Sequence, residues 1–158
     1  MKNEIIIRKT TKKDIENLQR LYGDFFKQMN KFAKFVRIDE TKNSISKISL
    51  QILTIQRDAL FLVAEKEDSI IGFVFAKISN NKKSRAKNNK VVEVLEIYAR
   101  KKRRGIGAML FEEIEKWAKK EKADWIKWEF LADNRCAERF CIKKGFRLFQ
   151  LNMLKKVK

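Results

Sequence analysis

A single mixed α/β domain is what this 158-residue sequence predicts. Two observations carry that expectation. Apolar runs of strand length alternate with amphipathic helical stretches, and no linker or internal repeat interrupts them. Hydrophobic residues make up 44% of the chain, with 12 Phe and 3 Trp, which is enough apolar material for a core and excludes wholesale disorder.

Taken in order, residues 4–11 (EIIIRKTT) read as a first strand that leads into a helix capped near Thr11, with Asp14 in its first turn. Ile15, Leu18, Leu21, Tyr22, Phe25 and Phe26 then recur at helical spacing and are expected to face the core. Phe32, Phe35 and Val36 extend that apolar surface, and Ile45, Ile48, Ile52 and Ile55 mark a second helix. Residues 59–78 predict a hairpin with its turn near Glu67-Asp68. The polar, basic stretch 79–90 has no apolar anchor and is expected to be a surface loop.

A third long strand, VVEVLEIYA, runs into the glycine turn at Gly105 and Gly107. Leu110, Phe111, Ile114, Trp117 and Ala118 then space out a helix that ends near Lys122. DWIKWEFLA reads as a further strand, NRCAERFCIKK as a short helix capped by Gly145, and FRLFQLNMLKKV as a closing strand or strand pair.

Composition removes several chemistries. There is no histidine, so a Ser-His-Asp triad and an HExxH site are excluded, and two cysteines alone cannot build the usual zinc sites. No metal ligand set is expected. Cys136 and Cys141 lie five residues apart on one helix and point in different directions, so no disulfide is expected between them. No apolar run approaches the roughly 20 residues of a membrane span, and no signal-peptide pattern precedes the first strand, so the expected location is the cytoplasm.

The net charge is +18 and uneven. Residues 1–78 hold 15 basic and 10 acidic side chains, and residues 79–158 hold 23 and 10. Such a field suits polyanions: nucleic acid, an anionic surface or a phosphate-rich cofactor. Arg100 to Arg104 are five basic residues in a row directly before Gly105-Ile106-Gly107. A strand that turns through glycine into a helix leaves free amides and a positive dipole end, which form an anion site. Neither the G-x-x-x-x-G-K-[ST] nor the G-x-G-x-x-G pattern is present, because Leu110 takes the last glycine position of the second.

Residues 60–150 resemble the GNAT superfamily of N-acetyltransferases. Lys102-Arg103-Arg104-Gly105-Ile106-Gly107 is similar to its [Q/R]-x-x-G-x-[G/A] signature, with Lys in place of the usual Gln or Arg. Asn134 followed by Ala137, Phe140, Lys143, Gly145 and Phe146 is similar to its second signature, and Gly72 falls where the family often has glycine. The resemblance implies a GNAT-like acyl-CoA N-acyltransferase fold: a mixed, mostly antiparallel sheet of about six or seven strands flanked by about four helices. Residues 1–58 would be the variable acceptor side and 59–158 the acetyl-CoA-binding core of one domain, 1–158.

The resemblance further implies that the backbone of Leu95, Glu96 and Ile97 pairs with the pantetheine arm. The amides from Arg103 through Arg104, Gly105, Ile106, Gly107 and Ala108, flanked by Lys102, would hold the pyrophosphate, and Asn134 would contact the cofactor. The implied reaction moves an acetyl group to a primary amine, for which a protein or peptide N-terminus or lysine is favoured. Such a transfer needs a base, an oxyanion donor and an acid for the thiolate. Glu129, by its spacing from Asn134, and Glu93 are equal candidates for the base. Strand alternation places Glu93 with Leu95 and Ile97 and turns Glu96 to the other face, which ranks Glu96 third.

Cys141 stands where relatives commonly carry Tyr. It is read either as the acid or a covalent acyl carrier, or as a small buried filler, the favoured reading. Three further readings stay open: a CoA-binding domain without catalysis, a basic nucleic-acid-binding module, and a homodimer.

Overall fold

The structure, a computed structural model, describes residues 4–35, 58–80, 90–100 and 105–157. Strand β1 (Ile6–Lys9) is followed by a single 3-10 turn at Lys12–Asp14 and helix α1 (Ile15–Phe32). Strands β2 (Ala59–Lys66), β3 (Ser69–Asn80) and β4 (Lys90–Ala99) come next. Helix α2 (Ile106–Lys120), strand β5 (Trp125–Trp128) and helix α3 (Arg135–Lys143) complete the order. The sheet order is β1-β2-β3-β4-β5, antiparallel except for the parallel pair β4/β5. That one parallel pairing requires a crossover, and α2 supplies it.

Alternation along the central strands sorts the core into two layers. Phe61, Val63, Phe73 and Phe75 face Leu18, Leu21, Tyr22 and Phe26 of α1. Leu62, Ala64, Val74 and Ala76 face Leu110, Phe111 and Ile114 of α2. The sheet is therefore covered by α1 on one side and α2 on the other. The aromatic residues expected at helical spacing in α1 do face the core, whereas Phe35 beyond the helix is exposed.

Local backbone chemistry explains the turns. Glu67 and Asp68 both have positive φ, 50° and 57°, the two-residue hairpin turn whose twist matches that of the flanking strands. Gly145, at φ 83°, ends α3: its N–H donates to Ile142 O, and the Phe146 N–H donates to Cys141 O. Gly72 lets β3 lie close to the end of β4. A Cβ there would stand 2.8 Å from the Tyr98 carbonyl oxygen and 3.1 Å from Ile106 Cγ2.

Three expectations need correction or placing. The closing strand does not form: among the described residues 146–157 pair with no strand, and Leu148, Phe149, Leu151, Met153, Leu154 and Val157 stay exposed, so no burial holds them in register. Strand β5 stops at Trp128, short of the 124–132 run, since β4 offers it partners only at Val91–Val94. Among the described residues the sheet accordingly has five strands, with three α-helices. The helix expected around Ile45–Ile55 and the loop at 81–89 lie outside the described residues.

The entry to α1 is fixed by charge. The buried Asp14 carboxylate accepts from both terminal nitrogens of Arg8 at 2.8 Å, from the Thr11 N–H at 2.7 Å and from the Thr11 hydroxyl at 3.0 Å. The Arg8 hydrogen bonds hold its pKa below the ordinary carboxylate value, against the opposing effect of burial. A depressed folded pKa contributes stability that is full above about pH 4 and is lost as the pH falls through the folded value. Asp14→Asn should cost about 2 kcal/mol at pH 7, less than a fully buried pair because Arg8 is partly solvated. Urea unfolding should show the gap between variant and wild type narrowing from pH 7 to pH 3.

Candidate active site

The site grows from an irregularity in β4. Phe75 pairs with Glu96 and Ala76 pairs with Val94, so Leu95 has no partner on β3 and forms a bulge. A bulge reverses the alternation beyond it. Val92 and Val94 face α2, and past the bulge so do Ile97 and Ala99, while Glu93, Glu96 and Tyr98 all lie on the α1 side. Strict alternation had separated Glu93 from Glu96 and grouped it with Leu95 and Ile97. The extra residue overturns that grouping and brings both carboxylates to one face.

The same place is where β4 and β5 part. They pair from Val91/Trp125 to Val94/Trp128, and beyond that β4 continues through Leu95–Ala99 past the end of its pairing with β5. A strand that runs on past its neighbour can present backbone N–H and C=O groups to an extended ligand. At the apex of this fork lies an open cleft of about 100 Å³, lined by Glu93, Val94, Leu95, Lys127 and Glu129.

Charges at the apex are interleaved. Lys77 Nζ lies 3.7 Å from Glu93, and Lys127 Nζ lies 3.9 Å from Glu93 and 2.6 Å from Glu129. The Glu129 hydrogen bond is the largest cause of a raised Lys127 pKa, so this ammonium stays charged throughout the neutral range. Glu93 is half-buried, its side chain 25% exposed, whereas Glu129 is 73% exposed. From α1 the buried Tyr22 hydroxyl donates to the Glu96 carboxylate. Burial, and then the neighbouring Glu96 charge, push the Tyr22 pKa well above its ordinary value. Tyr22 therefore remains a protonated donor.

Beyond Ala99 the chain reaches the N-terminus of α2. Gly105 caps it at φ 77°, a conformation glycine adopts without steric cost. Its carbonyl accepts from the Met109 N–H at 2.9 Å, which leaves the amides of Ile106, Gly107 and Ala108 without intrahelical partners. A Cβ on Gly107 would meet nothing within 4 Å, so no packing constraint requires glycine there. Lys102, Arg103 and Arg104 lie outside the described residues.

Helix α3 lies beside the fork because Phe140 packs edge-on against both Trp128 of β5 and Phe111 of α2, with ring centroids 5.9 and 5.5 Å apart. Asn134 caps this helix: its Oδ1 accepts from the Ala137 N–H at 3.2 Å. The amide nitrogen of the same side chain is a donor in addition. Cys141 is buried, and desolvation raises its thiol pKa to about 11.

The structure thus gathers Glu93, Glu96 and Glu129 around the fork, with the Gly105 turn beyond the far end of β4. Sequence reasoning missed Lys127 and gave Tyr22 only a core role. Lys127 lies on β5 and Glu129 one residue past its end, close enough for the Lys127 ammonium to reach the Glu129 carboxylate at 2.6 Å. Nothing in the helical pattern marks the Tyr22 hydroxyl as a partner of Glu96.

A sequence model of the acetyltransferase (GNAT) family matches residues 16–146. No functionally curated protein sequence matches the chain. Among solved structures, a mutant of the BH1408 protein from Bacillus halodurans superimposes with a TM-score of 0.85 at 22% identity, covering 97% of this chain and 99% of that one. The PaiA N-acetyltransferase from Thermoplasma acidophilum in complex with coenzyme A gives 0.77 at 26% identity, with 94% and 93% covered. The aminoglycoside N-acetyltransferase AAC(6')-Iy, bound to the bisubstrate analogue CoA-S-monomethyl-acetylneamine, gives 0.72 at 16%, with 98% and 99% covered. A match over most of the chain, joined to a bulged and forked sheet with a glycine-capped helix beyond it, shows that the chain belongs to the acetyltransferase (GNAT) family.

Proposed function

We propose that the protein transfers the acetyl group of acetyl-CoA to the primary amine of a protein or peptide, an N-terminus or a lysine, with Glu93 as general base. The observation that carries this reading is the fork. It opens at Leu95 with Glu93 at its apex, and the strand it frees leads to the Gly105 turn.

The residues present fit acetyl-CoA. The backbone of Leu95, Glu96 and Ile97, beyond the stretch of β4 that pairs with β5, would pair with the amide-bearing pantetheine arm as an added strand. The amides of Ile106, Gly107 and Ala108 would take the pyrophosphate, supplemented by Lys102, Arg103 and Arg104, and the Asn134 amide would add a donor from α3. When bound, the thioester supplies the activated acetyl group.

The acceptor amine must lose a proton. An α-amino group titrates near 8 and a lysine near about 10.4, so at neutral pH most of the acceptor is protonated and a carboxylate must take the proton as nitrogen attacks. Glu93 suits this role better than Glu129, because it is half-buried in the cleft while Glu129 is largely exposed and holds Lys127. Glu96 is engaged by Tyr22, and that bond orients it on the acceptor side.

For Cys141 the energetics favour packing over chemistry. A thiol near 11 is almost wholly protonated at pH 7, which makes it a poor nucleophile. Passing its proton to an ordinary thiolate of pKa about 8.5 runs uphill by roughly 3 kcal/mol, which makes it a poor acid too. The departing thiolate is then protonated by solvent.

Three outcomes test this scheme. Glu93→Gln should lower kcat roughly 100-fold or more while leaving acetyl-CoA affinity, read by calorimetry, unchanged; equal loss in Glu129→Gln alone would move the base to Glu129. Gly107→Leu should weaken acetyl-CoA binding at least tenfold and leave the unfolding free energy within about 0.5 kcal/mol, because the side chain covers amides and displaces nothing in the core. Cys141→Ala should keep turnover within about threefold, and a drop beyond tenfold would restore it as the acid.

A further inference from the structure

A lysine of the chain itself stands at the apex of the fork, where an acceptor amine would have to stand. Lys127 is opposite Glu93 in the parallel register of β4 and β5. Its strand neighbours Ile126 and Trp128 pack into the α2 layer, so the Lys127 side chain points to the other face, where Glu93 lies. There it lines the same open cleft as Glu93 and Leu95, with Nζ 3.9 Å from the Glu93 carboxylate. A primary amine beside a carboxylate base, in the cleft where β4 runs on past β5, has the arrangement that acyl transfer requires.

Two other lysines show what is particular to this one. Lys77 also reaches Glu93, at 3.7 Å, but it does so from β3 and does not line the cleft. Lys116 matches Lys127 in its partner: its Nζ lies 2.6 Å from Glu113, as that of Lys127 lies 2.6 Å from Glu129. In both, the carboxylate hydrogen bond raises the pKa of the amine. Lys116 lies on α2 with its side chain 70% exposed, against 40% for Lys127. Exposure and basicity therefore favour Lys116 as the more reactive amine, and the cleft favours Lys127.

We infer, on the basis of the acetyl-transfer reading proposed above, that Lys127 is a self-acetylation site: its Nζ takes the acetyl group of acetyl-CoA bound to the same chain, with Glu93 as base. Nζ gives one proton to Glu93 and forms a bond to the thioester carbonyl carbon, and the carbon–sulfur bond breaks. A second proton leaves the nitrogen and reaches the departing thiolate through solvent, while Glu93 returns its own to water. The products are an acetyl-lysine, the free thiol of CoA and one proton. Glu129 opposes the step, because it holds Nζ and keeps the ammonium charged. The modification is accordingly slow and happens once per chain. The neutral amide it leaves cannot form an ion pair with Glu93 or Glu129, so the apex becomes more acidic by one charge.

The test incubates the full chain with acetyl-CoA and quantifies acetyl-lysine at each position by mass spectrometry. Lys127 is expected to outrun Lys116 and Lys77 by roughly tenfold or more. With acetic anhydride, which needs no binding site, the order should reverse and Lys116 should lead. Glu93→Gln should slow modification of Lys127 about tenfold or more and leave Lys116 unchanged, whereas Glu129→Gln should speed it several-fold by releasing the amine. A mixture of Lys127→Arg and Glu93→Gln chains tests the route, since transfer within one chain leaves Lys127 of the second variant no more acetylated than when that variant is alone. Lys127 reacting no faster than Lys116, leading with both reagents, keeping its rate in Glu93→Gln, or gaining acetyl in the mixture overturns the inference. Calorimetry with acetyl-CoA and acetylation of an added peptide amine are read on the same protein. Binding and peptide transfer without modification of Lys127 overturn self-acetylation alone. Absence of acetyl-CoA binding overturns the functional reading, and self-acetylation with it.

Discussion

One extra residue in one strand governs the chemistry-bearing half of this molecule. Without a bulge at Leu95, β4 would keep strict alternation from Lys90 to Ala99, and Glu96 would face α2. A carboxylate there would sit among Val92, Val94, Ile106 and Leu110, an apolar layer with nothing to hydrogen-bond it. With the bulge, Ile97 and Ala99 take the α2 side and Glu96 meets the Tyr22 hydroxyl on the other. Loss of the β5 pairing beyond Val94 coincides with the bulge, because the increased local twist carries β4 away from its parallel neighbour. The irregularity therefore does three things at once. It opens the fork, carries β4 past the end of β5, and brings Glu96 to the face where Glu93 already lies.

Electrostatics at the fork differ from those of the chain as a whole. The protein carries +18, yet the apex pairs Glu93 and Glu129 with Lys77 and Lys127. A polycationic acceptor gains from a strongly acidic mouth, which this apex does not provide. Lys127 is the pivot, since it contacts both carboxylates and holds its charge. Lys77 and Lys127, both partly exposed, together offset the cost of desolvating Glu93.

Much of the frame was legible in the sequence because it rests on local rules. Helical spacing of Leu18, Leu21, Tyr22 and Phe26 predicted the buried face of α1, and Glu67-Asp68 and Gly145 marked a turn and a cap that positive φ requires. Asn134 was legible as the start of α3, where its side chain caps the first turn. What escaped was non-local. The bulge arises from the pairing of β3 with β4, and no feature of VVEVLEIYA alone tells which residue will be left over. The orientation of Glu96 depended on that residue, so its ranking among the glutamates was made on a period-two rule that fails at Leu95. The closing strand failed for a related reason. FRLFQLNMLKKV has the composition of a strand, but a strand exists only where an edge receives it.

The fork also ties the two layers of the core to each other. Gly72 brings β3 against the Tyr98 carbonyl and leaves Ile106 Cγ2 in the space a side chain would need, so β3, the end of β4 and the start of α2 meet at one point. Tyr98 in turn packs on Phe25 and Phe73, and Tyr22 stacks on Phe73 with centroids 4.3 Å apart. The ring that reaches Glu96 is thus in contact with the strand that sets the Gly105 turn at its proper distance. Arg100 closes the circuit, with its backbone N–H on Ile71 O and its guanidinium 3.1 Å from Asp24 of α1. Because these contacts are close-packed, a shift of α1 cannot leave the far end of β4 in place. Helix α1 and the start of α2 are therefore linked through one set of packed contacts. Their relative position was fixed at folding, through a residue whose only contribution is the side chain it lacks.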